Sequence, residues 1–386
     1  MVRGGRIDDD PCMNDPSIPI FRYVPHLLDE SLVLESFRDG RLAGGARLAE
    51  LERRVAKICG LSTGVCVSSV TSAVAMLAAG LDLARDDEVI MSPLAPASIA
   101  AGLRSRGVRL VFADVCPGTM NLDAARVEAA ITPFTKAIVF SHTFGSSAGA
   151  PEVAKLAGRQ EITLIEDVTE ALGSRIADRP VGGFGRAALA SMGPFSAIPS
   201  GSGGLVLSSD ERLGAAVRAI RAGEASPLGM VAPVEAGWPS ELCVALSLGQ
   251  ARRIEELREQ RLQLAVSYMR RLMSTIGVVA PTVDNDEVAP HWSGILCRLE
   301  AGYTEEERDG VVRGMRIHEI EVAAPRRCVY NFALTESDPA SCTVARSIAK
   351  RLIRLPFHLG MSSQDIEMVA QTLALMISRE NLSRGG

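Results

Sequence analysis

Seven short apolar runs alternate with Ala/Leu-rich stretches between residues 64 and 209, and this alternation restricts the fold more than any other feature. The runs are GVCVSS (64–69), DEVIMSP (87–93), VRLVFADV (108–115), KAIVFSH (136–142), ITLIEDV (162–168), ALASM (188–192) and GGLVLSS (203–209). Apolar strands separated by helices are typical of a mostly parallel sheet with helices on both faces. The sequence therefore predicts an α/β fold whose ligands bind at the carboxyl ends of the strands.

The pattern changes after about residue 210, where long charged helices and a smaller α+β segment follow. A chain of 386 residues is too long for one compact core and fits two closely packed domains. We predict a disordered leader (1–17), a large domain (18–245), and a long helix with a small C-terminal α+β domain (246–386).

Composition excludes several classes of protein. The net charge is −5 and the basic residues are scattered, so a nucleic-acid partner is not expected. No apolar run approaches the roughly 18 residues of a membrane helix, and the polar first fifteen residues do not form a signal peptide. Eight cysteines without a CxxC pair predict reduced thiols, no metal site and a cytoplasmic protein.

Ten segments, taken in chain order, resemble the landmarks of the DegT/DnrJ/EryC1/StrS aminotransferase family over roughly residues 18 to 380. They are LAGGARLAELERRVAKICG, SSVTSAVAML, DDEVIMSP, FADVCPGTMNLD, AITPFTKAIVFSHTFG, LIEDVTEALGS, GGFGRAA, SGSGGLVLSSDE, SELCVALSLGQARRIEELREQR and RLPFHLGMSSQDI. The resemblance implies a fold-type-I aminotransferase with a mostly parallel seven-stranded sheet, a smaller C-terminal domain and a homodimer. Such enzymes use pyridoxal phosphate (PLP), mostly to aminate keto-sugars on nucleotides or secondary-metabolite precursors.

The resemblance also assigns roles to residues at the strand ends. Asp167 matches the partner of the pyridinium nitrogen, and Glu170 lies where the family has a residue near the ring hydroxyl. His142 in FSHTFG matches a family histidine with a structural or substrate-side role. Ser69, Thr71 and Ser191 match residues that bind the cofactor phosphate.

One departure concerns the covalent link. Aligning SMGPFSAIPSGSGG with the family pattern places Ser196 on the lysine that forms the Schiff base. The chain has only four lysines, Lys57, Lys136, Lys155 and Lys350, and none lies in this loop. Because a serine hydroxyl has no amine chemistry and is a poor base near neutral pH, covalent PLP catalysis is predicted to be absent.

Three further departures surround the same site. Pro96 or its neighbour Ala95 replaces the aromatic residue that stacks on the cofactor ring. Val70 replaces the glycine of the phosphate turn, and Trp238 with Pro239 stands where the family has polar phosphate contacts. We predict that Pro96 and Trp238 contact a substrate in the altered cleft.

Each of these residues also has a structural interpretation. Asp167 could cap a helix beginning at TEALG, and His142 could be a packed, hydrogen-bonded residue. Ser191 and Thr71 could be caps, and Trp238 could anchor a dimer interface.

Three hypotheses for function follow. The first is a repurposed, PLP-independent enzyme that uses Ser196, His142, Asp167 and Glu170 as catalytic groups on a small biosynthetic intermediate. The second is a non-catalytic pseudo-aminotransferase partner. The third, ranked lower, is an enzyme of the keto-sugar dehydratase kind that binds PLP or pyridoxamine phosphate (PMP) non-covalently; family members of that kind carry histidine where this chain has serine.

Overall fold

The computed structural model describes residues 16–224, 237–281, 288–325 and 342–384. All seven apolar runs form strands of one sheet, as predicted. These strands are β1 (Thr63–Val67), β2 (Glu88–Met91), β3 (Arg109–Phe112), β4 (Thr135–Ser141), β5 (Thr163–Asp167), β8 (Ala187–Ser191) and β9 (Gly204–Ser208). Their order is β1-β9-β8-β5-β4-β2-β3, and β9 is antiparallel to both neighbours. The α/β prediction is confirmed.

Helices cover both faces of this sheet. They are α1 (Leu27–Asp39), α2 (Ala46–Ile58), α3 (Val70–Gly80), α4 (Ala97–Arg104), α5 (Ala124–Ala130), α6 (Ala150–Arg159), α7 (Glu211–Ala222) and α8 (Glu241–Arg252). Alternate strand residues point to opposite faces. Val139 and Ile165 therefore pack with α3 and α4, whereas Ile138 and Leu164 pack with α5 and α6.

The predicted long helix is in fact two helices. The chain leaves helical geometry at Arg253 (φ −114°, ψ 20°), and α9 (Ile254–Leu272) follows. The break lets Val244 and Leu248 of α8 pack into the large domain, while Ala265 of α9 packs into the small one.

The small domain is built on a three-stranded antiparallel sheet. Its strands are β10 (Val278–Val279), β12 (Ile295–Leu299) and β13 (Leu352–Leu355), and its helices are α10 (Glu305–Ile317), α11 (Thr343–Ala349) and α12 (Ser363–Arg384). A second small sheet joins β6 (Arg175–Ile176), β7 (Arg179–Pro180) and β11 (Val288–Ala289).

Two details of the domain division differ from the sequence prediction. The apolar clusters separate near Arg253 rather than at 245/246, because α8 belongs to the large domain. Ile18, expected in the large domain, packs instead in the small-domain core and donates its N–H to the Glu319 carbonyl. Residues 1–15 of the predicted leader lie outside the described residues.

Candidate active site

Polar side chains collect at the carboxyl edge of the central sheet, as the strand pattern predicts. Ser69 follows β1, Asp167 ends β5 and Ser191 ends β8. Because β5 and β8 are parallel neighbours, Asp167 and Ser191 lie on the same edge. This edge is the place where an α/β sheet binds its ligands.

Asp167 is a buried carboxyl group with no salt bridge among the described residues. It is 2% exposed, and its Oδ1 accepts a hydrogen bond from the Thr169 backbone N–H at 3.0 Å. Burial raises the pKa of Asp167 above its ordinary value. The segment after Asp167 is a turn rather than the helix that the capping interpretation requires. The carboxyl group therefore retains the capacity to pair with an N–H or cationic group of a ligand.

We expect Asp167→Asn to stabilise the protein at pH 7. Because the pKa of Asp167 is raised in the native state, the fold favours the neutral carboxyl group. The contribution of Asp167 to stability is therefore greatest at pH values below the ordinary aspartate pKa, and it is lost as the pH rises through the native pKa. Asparagine removes the charge, and its oxygen can still accept from Thr169. The free energy of unfolding in urea at pH 7 should rise by about 0.5–2 kcal/mol, with exposed Asp178→Asn as the control. An unchanged or lower value for Asp167→Asn would contradict this.

His142 lies on the other face of the sheet from Asp167. Its Nε2 is 3.0 Å from an oxygen of Glu166, the strand neighbour of Asp167, and its ring packs edge-on against Phe140. Because consecutive strand residues point to opposite faces, this 1% exposed imidazole does not share the face of Asp167. The placement favours the packed, hydrogen-bonded interpretation over the predicted catalytic role, and we assign His142 a positioning role.

Glu170 connects the two domains. One of its carboxylate oxygens accepts the Phe144 N–H at 3.0 Å, and the other forms a short contact with Arg354 of β13. The Glu170 carbonyl accepts a hydrogen bond from Ser293 at 2.7 Å. Glu170 therefore links the small domain to the carboxyl edge of the central sheet.

Ser196 lies in a loop that is held rigidly in place. Three consecutive carbonyl groups of this loop accept side-chain hydrogen bonds: Ala197 from Arg261 at 2.9 Å, Ile198 from Ser247 at 2.8 Å and Pro199 from Gln250 at 2.6 Å. The Ser196 side chain is 3% exposed, and its hydroxyl has no hydrogen-bond partner among the described residues. Since an unpaired buried hydroxyl is costly, this group is suited to contact a ligand.

In the predicted phosphate site, the serine hydroxyl groups already accept hydrogen bonds from nearby backbone N–H groups. The Ser69 hydroxyl accepts the Ser72 N–H at 3.1 Å and so caps α3, and Ser191 accepts the Gly193 N–H at 2.9 Å. Thr71 is exposed. Gly204 packs so closely that a Cβ there would lie 2.6 Å from the Ser69 carbonyl oxygen, so this strand start requires glycine.

Pro96 and Trp238 occupy the positions of two further departures. Pro96 is half-buried and precedes α4, where it presents no aromatic ring. Trp238 is 42% exposed, and its ring lies 4.4 Å from the guanidinium carbon of Arg221 and close to Gly44. No contact joins Trp238 to Asp167 among the described residues.

A Schiff-base cofactor does not fit the residues that are present. Lys57 is near the end of α2, Lys136 is at the amino end of β4, Lys155 is in α6 and Lys350 follows α11. All four are exposed, and the loop position assigned to the lysine holds the buried hydroxyl of Ser196. The structure therefore places no lysine amine in the Ser196 loop.

Two arginines near the site were not singled out from the sequence. Arg354 interrupts the apolar strand LIRL, and its guanidinium lies 4.6 Å from the centre of the Phe195 ring. Arg261 continues the helical spacing of Ile254 and Leu257, and it is buried with them. In both cases the sequence feature that could have identified the residue is an arginine within an otherwise apolar strand or helix face.

No group of three or more His, Cys, Asp or Glu side chains could hold a metal ion within the described ranges. Among those ranges, no helix is both long and apolar enough to span a membrane. Six cysteines there are free thiols, while Cys12 and Cys328 fall outside.

Comparison with known proteins finds relatives over most of the chain. The chain is 27% identical over 362 residues to the spore coat polysaccharide biosynthesis protein SpsC of Bacillus subtilis, covering 88% of this chain and 92% of that protein. It is 25% identical over 392 residues to a UDP-4-amino-4-deoxy-L-arabinose–oxoglutarate aminotransferase of Shewanella sediminis, covering 95% and 100%.

Solved structures show the same fold. The putative sugar aminotransferase Spr1654 of Streptococcus pneumoniae superposes with a TM-score of 0.88 at 18% identity, over 96% of this chain and 100% of that one. The sequence model of one family matches residues 28–374. The chain therefore belongs to the DegT/DnrJ/EryC1/StrS aminotransferase family.

Proposed function

We propose that this chain is a family member of sugar or secondary-metabolite biosynthesis that no longer works as a transaminase. In this proposal it is a repurposed enzyme that acts, without a covalently bound cofactor, on a biosynthetic intermediate in the old cofactor cleft. The observation that supports it best is the buried hydroxyl of Ser196 at the lysine position, with all four lysines exposed elsewhere. The relatives named above supply the expectation of sugar chemistry.

Asp167 is the proposed acid–base group. Its raised pKa makes it a better proton carrier near neutral pH than an ordinary aspartate. Ser196 contributes a neutral hydroxyl, which can donate a hydrogen bond to a substrate oxygen. Glu170 acts through its contact with Arg354 by fixing the small domain. His142, through Glu166, supports the strands that carry Asp167.

A non-catalytic partner protein is the second candidate, and exposed apolar side chains supply the interaction surface that it needs. Leu27, Leu34 and Phe37 of α1 are 79%, 53% and 62% exposed, and Leu42 is 75% exposed. A group of exposed large apolar side chains is typical of an interaction surface. We propose that this surface forms a homodimer, in either candidate, and that the protein acts in the cytoplasm.

Non-covalent binding of PLP or PMP ranks third. The lack of a salt bridge at Asp167 among the described residues favours it, because that carboxylate could pair with a pyridinium nitrogen. Serine at position 196 counts against it, since the chemistry requires a base there.

Gene deletion and single substitutions in the organism that carries this gene test the proposal. Deleting the gene and comparing metabolites by untargeted mass spectrometry identifies the product that disappears. With that product as the readout, Asp167→Asn and Ser196→Ala should lower its amount at least tenfold at unchanged protein level. His142→Gln should lower the product only as far as it lowers the amount of folded protein. Asp178→Asn is the control. Wild-type product with both Asp167→Asn and Ser196→Ala would refute the catalytic role and leave the partner hypothesis.

A further inference from the structure

A small cavity of about 40 Å³ is lined by Ser196, and Asp167 is not among its lining residues. Five parts of the chain enclose it: the segment before α1, the Ser196 loop, α8 with α9, the segment before β12, and the segment after β13. Its charged and polar lining residues are Arg22, Tyr23, Ser196, Gln250, Arg253, Arg261, Ser293 and His358. No acidic side chain is among the described lining residues.

Arg261 is the central charge of this cavity. It is 9% exposed, and its Nη1 donates to the Ala197 carbonyl at 2.9 Å and to His291 Nε2 at 2.5 Å. It forms no ion pair with a carboxylate among the described residues. Burial lowers the pKa of Arg261 to about 10, and burial also lowers that of His291, which remains a neutral acceptor. A buried cation without an anion is unfavourable, because the charge has lost its hydration.

Further cationic and donor groups line the same cavity. Arg253 pairs with Asp29 at 3.2 Å and with Glu256 at 3.6 Å, yet its buried Nε has no hydrogen-bond partner among the described residues. Arg22 is exposed at the rim. The Ser196 hydroxyl, 3% exposed and unpartnered, lies in the same lining. One unpaired buried cation and one unpaired buried hydroxyl therefore share a space that has room for a compact group.

We propose that this cavity binds the carboxylate group of a small molecule, with Arg261 as the charge partner and the Ser196 hydroxyl as a hydrogen-bond donor. The cavity has room for a compact group such as a carboxylate head. A carboxylate accepts from an arginine and from a hydroxyl at once, and such charge-assisted hydrogen bonds are the strong ones. Resting on the proposed function, the inference specifies its substrate as a carboxylic acid whose acid group is held beside Ser196.

Acetate and its neutral isostere acetamide test the proposal on the purified full chain. Thermal unfolding and calorimetric titration should show that acetate stabilises and binds the protein, while acetamide at equal concentration does not. Chloride and inorganic phosphate at the same ionic strength should each bind more weakly than acetate.

Three variants locate the binding. Arg261→Met should weaken acetate binding at least about tenfold, the loss expected for a hydrogen bond to a charged group. Because Arg261 also holds the Ala197 carbonyl, Ser196→Ala and Arg22→Gln give tests that spare this contact, with about threefold weakening expected. Exposed Arg159→Met is the control.

Several results would overturn the inference. They are equal stabilisation by acetamide, phosphate binding as tight as acetate binding, or unchanged acetate affinity in Arg261→Met and Ser196→Ala. Failure of the proposed catalysis is distinguishable, since Asp167→Asn would then leave the metabolite unchanged while acetate binding persisted.

Discussion

Glu166→Gln is expected to lower the free energy of unfolding by at least about 1–3 kcal/mol, because it leaves one or two buried backbone donors unpaired. Glu166 is fully buried, and one carboxylate oxygen accepts the backbone N–H groups of Phe184 and Gly185 at 2.6 and 2.7 Å. The other accepts the Gly182 N–H at 2.8 Å and lies 3.0 Å from His142 Nε2. Glutamine replaces one of these oxygens with an NH₂ group, which cannot accept. Facing Phe184 and Gly185, the NH₂ leaves two backbone donors unpaired; facing Gly182 and His142, it leaves the Gly182 N–H unpaired, since a neutral imidazole can accept from the amide. Each unpaired donor costs about 1–3 kcal/mol.

Urea unfolding at pH 7 measures this loss, with Glu128→Gln on the exposed side of α5 as the matched control. The control should stay within about 0.5 kcal/mol of wild type. A change below 1 kcal/mol in Glu166→Gln would refute the view that Glu166 and His142 are structural supports of the sheet edge.

Lysine introduced at position 196 alone is expected to leave amino transfer at background, although it supplies the missing amine. The longer side chain must enter a cavity of about 40 Å³ next to the unpaired Arg261 guanidinium, where overpacking and like-charge repulsion oppose it. Val70 still occupies the phosphate turn, and Pro96 offers no aromatic ring to stack on a cofactor.

Absorbance of the Ser196→Lys variant with pyridoxal phosphate, together with a coupled glutamate assay on a nucleotide-linked keto-sugar, measures the outcome. A family member that retains its lysine is the positive control. Turnover by the variant approaching that control would show that the other departures have been given too much weight.

The strand pattern was sufficient to predict the sheet and the edge that carries Asp167. Each strand is a local run of apolar residues, and parallel strands end on the same edge whatever their neighbours are. The break at Arg253 was not predicted, because α8 and α9 are continuous in apolar spacing and separate only through packing on different domains.

The partners of the site residues could not be predicted from local sequence. Glu170 and Arg354 are 184 residues apart in the chain, and Arg261 meets His291 across 30 residues. The face on which His142 lies depends on its register with Glu166, and one residue of strand alternation separates that face from the one bearing Asp167. Such pairings arise only when the strands and domains are assembled.

Mass spectrometry after borohydride reduction tests the central claim most directly. The purified chain is mixed with one equivalent of pyridoxal phosphate, reduced, and analysed both intact and as peptides. We predict no aldimine absorption beyond the spectrum of free pyridoxal phosphate before reduction and an unchanged intact mass, with the peptide carrying Ser196 unmodified. A stable phosphopyridoxyl adduct at one equivalent on any one lysine would contradict the account.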